Sequence, residues 1–546
     1  MTKIIVFLLA ASLSMTEVHA QCQIQKVVAS DGQMNDHFGL SAAVDGDWAA
    51  VSSPSASGAV QYSGAVYIFQ RVGGVWVEFQ KLTVSDVDLG SEFGRSIALV
   101  GNVLVVGAPG DKPIDLNPRG SAYVFELISG TWTQTAKLVA SNSGYEDHMG
   151  FAVAMGTDRI LLGAPGPGKA YVFDRIGGSW VQAGVLFGSG AGPLSGFGLS
   201  VALDGDQAIV GAPSVPGSGY QEGAAYIFKK SLSIPSIWYQ NEMMVASDPH
   251  SASSFGTSVA IRGSRALVGA QAHNHGGLTQ AGAVYAFVES GSDWPQTQEI
   301  LAIDAESYDL LGLRLALAAD HFIVSSYADD HNGNSRGSAY EFRWNGSSWI
   351  QAGKLLAEDG TYLLGMDTAL DDQTVLLGTF DESAYFFELA PTSTQYGSCP
   401  TAAPCNNKDT HGGCRNSTGL GAVMAACGSG SVATDDLRLE VTHCPPNKLT
   451  LLFMGPAQVT VPVFDGIRVV GQQQPTAIYR YGGAAADSIG RVVRGPGLVL
   501  RSQLFPPLGR IQSGQIWNFQ FWYRDNQGPC GGGTNFSNGV SVEFGP

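Results

Sequence analysis

Residues 93–109 read F-G-R-S-I-A-L-V-G-N-V-L-V-V-G-A-P, and G-S-A-Y-V-F follows at 120–125. Together they make a unit: an F-G pair, a short apolar strand, a tight turn, a second strand ending in G-A-P, a loop, and a strand carrying Tyr and Phe two apart. The F-G position recurs at Phe38-Gly39, Phe93-Gly94, Met149-Gly150, Phe197-Gly198, Phe255-Gly256, Leu311-Gly312 and Leu364-Gly365. The G-A-P position recurs from Ser52-Ser53-Pro54 to Gly378-Thr379-Phe380, and the Tyr/Phe pair from Tyr67/Phe69 to Tyr385/Phe387. Seven copies at a period of roughly 50 residues mark a repeat architecture. Four short strands per copy make each a propeller blade.

In the first copy the strands are expected at 40–44, 48–52, 65–70 and 75–82. Tyr67 and Phe69 alternate with Val66 and Ile68, so both faces of that strand are apolar, as in a sheet buried on both sides. Asp45-Gly46 and Asp204-Gly205 suit hairpin turns with positive φ. Pro109 cannot donate to a ladder and ends its strand. Residues 24–30 look like the fourth-strand segments 81–85 and 137–141, whereas the last copy has no such strand after it. The N-terminal segment should therefore complete the seventh blade and hide its edge.

These landmarks resemble FG-GAP repeats, the blades of the integrin α-chain propeller, over about residues 22–390. A kelch propeller is the alternative; it accounts for Gly-Gly before Trp but not for the G-A-P and Y-x-F landmarks. The resemblance implies an adhesive or binding role, and Ca²⁺ held by a D-x-D-x-D-G loop between the first two strands. Here that loop is cut to Asp45-Gly46-Asp47, too short to gather the ligands. The family's Ca²⁺ sites are not carried over. A different loop, with Asp330, Asn332 and Asn334 at 1-3-5 spacing and Glu341 at position 12, is a weak Ca²⁺ candidate. No other cofactor is expected. His273-Asn274-His275 reads as a surface pair.

Residues 1–20 have the form of a secretory signal, with Lys3, an apolar core over 4–13 and Val18-His19-Ala20 at the cleavage site. No apolar run reaches membrane-spanning length. The formal charge of −17 argues against nucleic-acid binding, whose proteins carry basic patches. Cys399, Cys405, Cys414, Cys427, Cys444 and Cys530 follow the repeats, and Cys22 precedes them. In an exported chain they are disulfide candidates, with connectivity open.

The resulting organisation is all-β. A signal over 1–20 is followed by a seven-bladed propeller over 21–390. Next come a Cys-rich linker or the start of a second domain over 391–436, and a β-sandwich over 437–546. Eight strands are expected in the tail, at 437–441, 449–454, 459–463, 467–470, 477–481, 497–500, 516–523 and 540–544. Trp517, Phe519, Phe521 and Tyr523 should share one face. The tail resembles C-terminal modules of large secreted bacterial proteins of planctomycete type, in its F-x-W-Y-R-D strand and S-N-G-V-S-V ending.

Tight turns join strands one to two and three to four, while long loops join strands two to three and successive blades. One face is therefore loop-rich, and binding residues concentrate on such loops. That face is acidic; Asp36, Asp88, Glu92, Asp147 and Asp309 are its candidate ligand-binding residues. No Ser-His-Asp, Cys-His or isolated paired-carboxylate set stands out, so no catalytic residues are assigned. The expected function is secreted, non-catalytic binding or adhesion toward an extracellular protein or glycan. The alternatives are a polysaccharide-active enzyme at the ring channel and a structural envelope component.

Overall fold

The computed structural model describes residues 21–546 except 58–59, 61, 114–116, 217–221, 232, 235–236, 249–251, 331–334, 358, 360, 373, 390–392, 398, 400–403, 410–411, 429, 436, 473–476, 488–489 and 546. The expected signal segment lies outside the described residues. The chain divides into two compact units, one of residues 20–349 and 353–391 and the other from residue 392 on, with 350–352 grouped with it.

Seven four-stranded antiparallel sheets build the first unit. Six are contiguous in sequence; blade one, for instance, runs Ala42–Asp45, Trp48–Ser53, Ala65–Val72 and Val75–Leu82. The seventh combines Thr368–Asp371, Thr374–Gly378 and Ala384–Leu389 with the N-terminal strand, which spans Gln21–Val27. That strand pairs antiparallel with Ala384–Leu389, placing Lys26 opposite Tyr385.

The repeated landmarks are the parts that join neighbouring blades. The Phe of each F-G packs edge-on to the Tyr of its own blade, as in Phe93–Tyr123 and Phe197–Tyr226, both at 5.4 Å. The glycines do something different. The first Gly of each G-A-P faces the F-G glycine of the next blade, so closely that a Cβ there would overlap its carbonyl. This seam repeats at Gly107/Gly150, Gly163/Gly198, Gly211/Gly256, Gly269/Gly312 and Gly378/Gly39. Each F-G glycine also has φ between +90° and +107°, where a side chain is disfavoured.

Polar side chains then staple blade to blade. Gln80 on blade one donates to the Trp132 carbonyl at 2.9 Å and accepts the Trp132 N–H at 3.0 Å. Gln298 and Trp349 repeat this exchange. So do Gln25, on the N-terminal strand, and Trp76, at 2.7 and 2.8 Å. The D-G turns serve as staples as well. Asp204 accepts the Gly263 N–H at 2.5 Å, and Asp371 of blade seven accepts the Gly46 N–H of blade one at 2.6 Å. Shortened turns thus hold the ring through backbone amides.

In the second unit, a five-stranded sheet lies against a three-stranded one. The larger sheet is ordered Ser393–Tyr396, Gly533–Phe544, Gln515–Asp525, Leu449–Gly455, Tyr479–Ala485. The smaller contains Val423–Cys427, Arg438–Thr442 and Val492–Arg494. Between them lies a core in which Trp517, Phe519, Phe521 and Tyr523 are all buried, on one face of their strand. The Cys-rich segment groups with the second unit, the second of the two readings its sequence left open. Two corrections concern the tail. The strands Ser393–Tyr396, Val423–Cys427 and Val492–Arg494 were not expected. Residues 497–500, expected as a strand, form the start of a helix, Leu498–Ser502. The Asp435 carboxylate accepts the Val499 and Leu500 amides at 2.7 and 2.8 Å and so fixes the first turn.

Of the disulfide candidates, Cys399 and Cys414 are bridged to each other. Cys427 and Cys530 are also disulfide-bonded. The side chains of Cys22 and Cys405 lie outside the described residues. Cys444 is a free thiol, contrary to expectation. It sits in the apolar core between the sheets and packs as a small hydrophobe.

Candidate functional site

Antiparallel order within every blade puts all inter-blade loops and all second-to-third loops on one face. Parallel bridges tie the two loop types together across blades, as in Gly120↔Met149 and Gly282↔Leu311. The residue before F-G is left-handed in every blade: His37, Glu92, His148, Gly196, Ser254, Leu310 and Leu363 have φ between 54° and 70°. The role shared by His37 and His148 is therefore a backbone corner.

The acids of this face are mostly partnered. At the end of the fourth strand a Lys stands opposite the Tyr of Y-x-F, as in Tyr67↔Lys81 and Tyr123↔Lys137. Its ammonium lies over the ring, 5.0–5.2 Å from the centroid for Lys26, Lys81, Lys137 and Lys354. Loop carboxylates close the set. Lys81 pairs with Asp31 at 2.7 Å, and the Tyr67 hydroxyl donates to the same carboxylate at 2.7 Å. Lys137 bridges Asp86 and Asp111; Lys354 bridges Asp304 and Asp329; Lys26 pairs with Asp359. The hydrogen bonds from Lys81 and Tyr67 hold the Asp31 carboxyl below its usual range. Burial pushes the Tyr67, Tyr123 and Tyr340 phenols up.

The sequence candidates separate on this frame. Asp147 is buried, with the Tyr171 hydroxyl donating to it at 2.5 Å and Lys169 at 3.5 Å. Asp309 is buried and accepts the Glu306 amide at 2.7 Å, as half-buried Asp36 accepts that of Gln33 at 2.8 Å. Burial pushes the Asp309 carboxyl up to about 6. Asp88 and Glu92 are exposed; Glu92 pairs loosely with Arg95 at 3.8 Å. Asp330 is exposed, while Asn332 and Asn334 lie outside the described residues. Glu341 is buried on the strand Ser338–Trp344 against Arg343, so position 12 of that Ca²⁺ candidate points into the sheet. His273, read as a surface residue, is buried against Tyr285, with Asp248 and Glu299 beside it.

Sequence reasoning missed the apolar content of the face. Five inter-blade loops carry exposed large apolar side chains: Met34, Leu89, Tyr145, Leu194 and Tyr308, with Leu194 92% and Met34 86% exposed. Exposed Tyr362 continues the series before blade seven. The signal was present, since most of these residues sit three or four positions ahead of the F-G pair. A cleft of about 600 Å³ opens beside Leu89, between blades two and three. Leu89, Pro109, Pro118 and Phe151 give it apolar walls; Glu92, Lys112 and His148 supply its polar groups.

Toward the ring axis the inner strands bring Arg314 to 3.4 Å from Asp367. The other Asp367 oxygen accepts from the Ser41 hydroxyl and the Ala42 amide. These groups clamp blades six, seven and one together. No helix among the described residues is long and apolar enough to cross a membrane.

A family model described as FG-GAP repeat matches residues 22–69, 76–125, 132–173, 180–228, 238–287 and 294–342. Each matched unit begins on the fourth strand of one blade and ends at the Phe of the next blade's third strand, the same phase as the ring closure. No curated protein matches the chain.

Proposed function

This chain belongs to the FG-GAP repeat family, and on that premise we propose that it is a secreted, non-catalytic binding protein whose contact surface is the loop-rich face of the propeller. The observation that supports this is the set of exposed apolar side chains on six of the seven inter-blade loops, set among carboxylates of which many are neutralised by lysine. Exposed apolar residues grouped on one surface mark interaction sites, and Tyr combines apolar area with a hydrogen-bonding tip suited to protein or glycan partners. Most of the described acids of the face are engaged in structural pairs, which favours binding over acid–base chemistry.

The test is a glycan array and a cell-surface pull-down with the full chain, against a variant with Ser at Leu89, Tyr145, Leu194 and Tyr308. The parent should bind, and the variant should lose at least tenfold in affinity. Equal capture by both proteins would refute the surface assigned. Depolymerisation of an array glycan would favour the enzymatic alternative.

A further inference from the structure

Blade five inverts the charges of the repeated lysine set. Where Lys137 stands opposite Tyr123, Glu299 stands opposite Tyr285. Asp111 lies twelve residues before Tyr123 and is replaced by His273, twelve before Tyr285. The loop carboxylate is kept: Asp248 accepts the Tyr285 hydroxyl at 2.9 Å, as Asp31 accepts that of Tyr67. In blades one, two, six and seven a lysine ammonium occupies the space between carboxylate and ring. In blade five that space is bounded by two carboxylates and an imidazole, with no lysine contributed by the strand.

We propose that blade five holds a zinc-class divalent cation there, on Asp248, His273 and Glu299. The three donor atoms lie within 4.8 Å of one another. His273 Nε2 is 3.4 Å from Asp248 Oδ2 and 3.3 Å from Glu299 Oε1. Those separations are close to the edge of a tetrahedron with metal–ligand bonds of about 2.0–2.1 Å. One imidazole and two carboxylates are ligands of the kind that zinc takes, and three protein ligands leave one position for an outside group. His273 is only 1% exposed and so held in place, while Asp248 and Glu299 are partly exposed and give the ion a way in. Beside them the His275 ring is stacked on His273 at 6.3 Å, and its Nε2 is shielded from solvent with no hydrogen-bond partner among the described residues. The site differs from the D-x-D-x-D-G loops of the family resemblance in strands, residues and ligand chemistry.

The test is calorimetric titration of the untagged full chain with ZnCl₂, paired with thermal unfolding with and without zinc. One site per chain is expected, with a melting temperature that rises with zinc because the ion binds only the folded state. The double variant His273→Asp/Glu299→Lys writes the residues of blade two into blade five; it should fold, melt independently of zinc and lose the calorimetric site. Glu299→Gln, a near-isosteric change, should weaken zinc at least tenfold. Absence of zinc binding by the parent would overturn the proposal, as would a site that survives the double variant. Equal binding of CaCl₂ would overturn the metal class.

Discussion

Gly378→Ala should be strongly damaging to the propeller, although the backbone at Gly378 is ordinary. A Cβ there would lie 2.8 Å from the carbonyl carbon of Gly39 and nearer still to its oxygen, whereas real Cβ atoms essentially never come within 3.0 Å of a heavy atom. Ordinary carbon contacts lie at about 3.5–4.0 Å, so blades seven and one must part by roughly 1 Å. No side chain can rotate aside, because the obstacle is backbone. Overpacking typically costs about 1–3 kcal/mol, and a backbone collision at ring closure belongs at or above the upper end. Gly46→Ala is the control: φ is +59°, but nothing lies within 4 Å. Its cost is the left-handed penalty, about 1–2 kcal/mol, offset by about 0.4–1 kcal/mol of lost unfolded-state freedom. The two variants should differ by about 2 kcal/mol or more, roughly 30-fold in the opening equilibrium. Urea unfolding of the full chain, followed by hydrogen exchange on peptides from blades one and seven, would measure it. Equal destabilisation by both substitutions would refute the seam argument. Serine at Ser52 and Ser325 does not weaken it. A Cβ built on Gly94 meets the Ser52 Cβ at 3.1 Å, whereas one on Gly150 meets the Gly107 Cα at 3.1 Å, so the Ser52 seam is wider by one atom.

Ser254 has φ +58° where blade four uses Gly196, so Ser254→Gly should raise stability by up to about 1 kcal/mol; a lower urea midpoint would contradict the strain reading. Burial pushes the Cys444 thiol up to about 12, so iodoacetamide at pH 8 should modify it only when the second unit unfolds. Rapid labelling of the native protein would refute its placement in the core. Asp309, pushed up to about 6, binds its proton more tightly folded than unfolded. Its contribution therefore favours folding at low pH and is lost as pH rises from about 4 through 6. The melting temperature of Asp309→Asn relative to the parent should climb over that interval, and a flat difference would dismiss the role of burial. Lys354→Met leaves the Asp329 and Asp304 carboxylates without their ammonium and should destabilise by about 3 kcal/mol, as removal of one partner of a buried pair does. A change below 1 kcal/mol would mean that water replaces the lysine.

The blades were legible because their landmarks are local and periodic: Phe93, Gly94, Gly107, Tyr123 and Phe125 announce themselves within one repeat. The ring closure was legible because residues 24–30 look like other fourth strands, although the strand itself spans Gln21–Val27. The lysine sets were not read, since they join Lys137 to Asp86 and Asp111 from two separate loops and only three-dimensional closure brings these together. For the same reason Asp147 and Asp309 looked like surface acids. His273 passed as a surface residue because burial by Tyr285 leaves no mark in its immediate sequence. In the tail, Leu498–Leu500 is a short apolar run that strand and helix both accommodate; a distant carboxylate, Asp435, decided it. Cys444 could not be told from its paired neighbours by spacing.

The N-terminal strand has one more consequence, in time rather than space. It leaves the ribosome before the rest of the ring, yet its partner Ala384–Leu389 emerges some 360 residues later. At about 5–20 residues per second, that is roughly 20–70 s during which six blades can be complete while this strand still awaits its place. The order of synthesis and the order of assembly run in opposite senses at this one point, and whatever shields the segment during that delay governs the yield of closed rings.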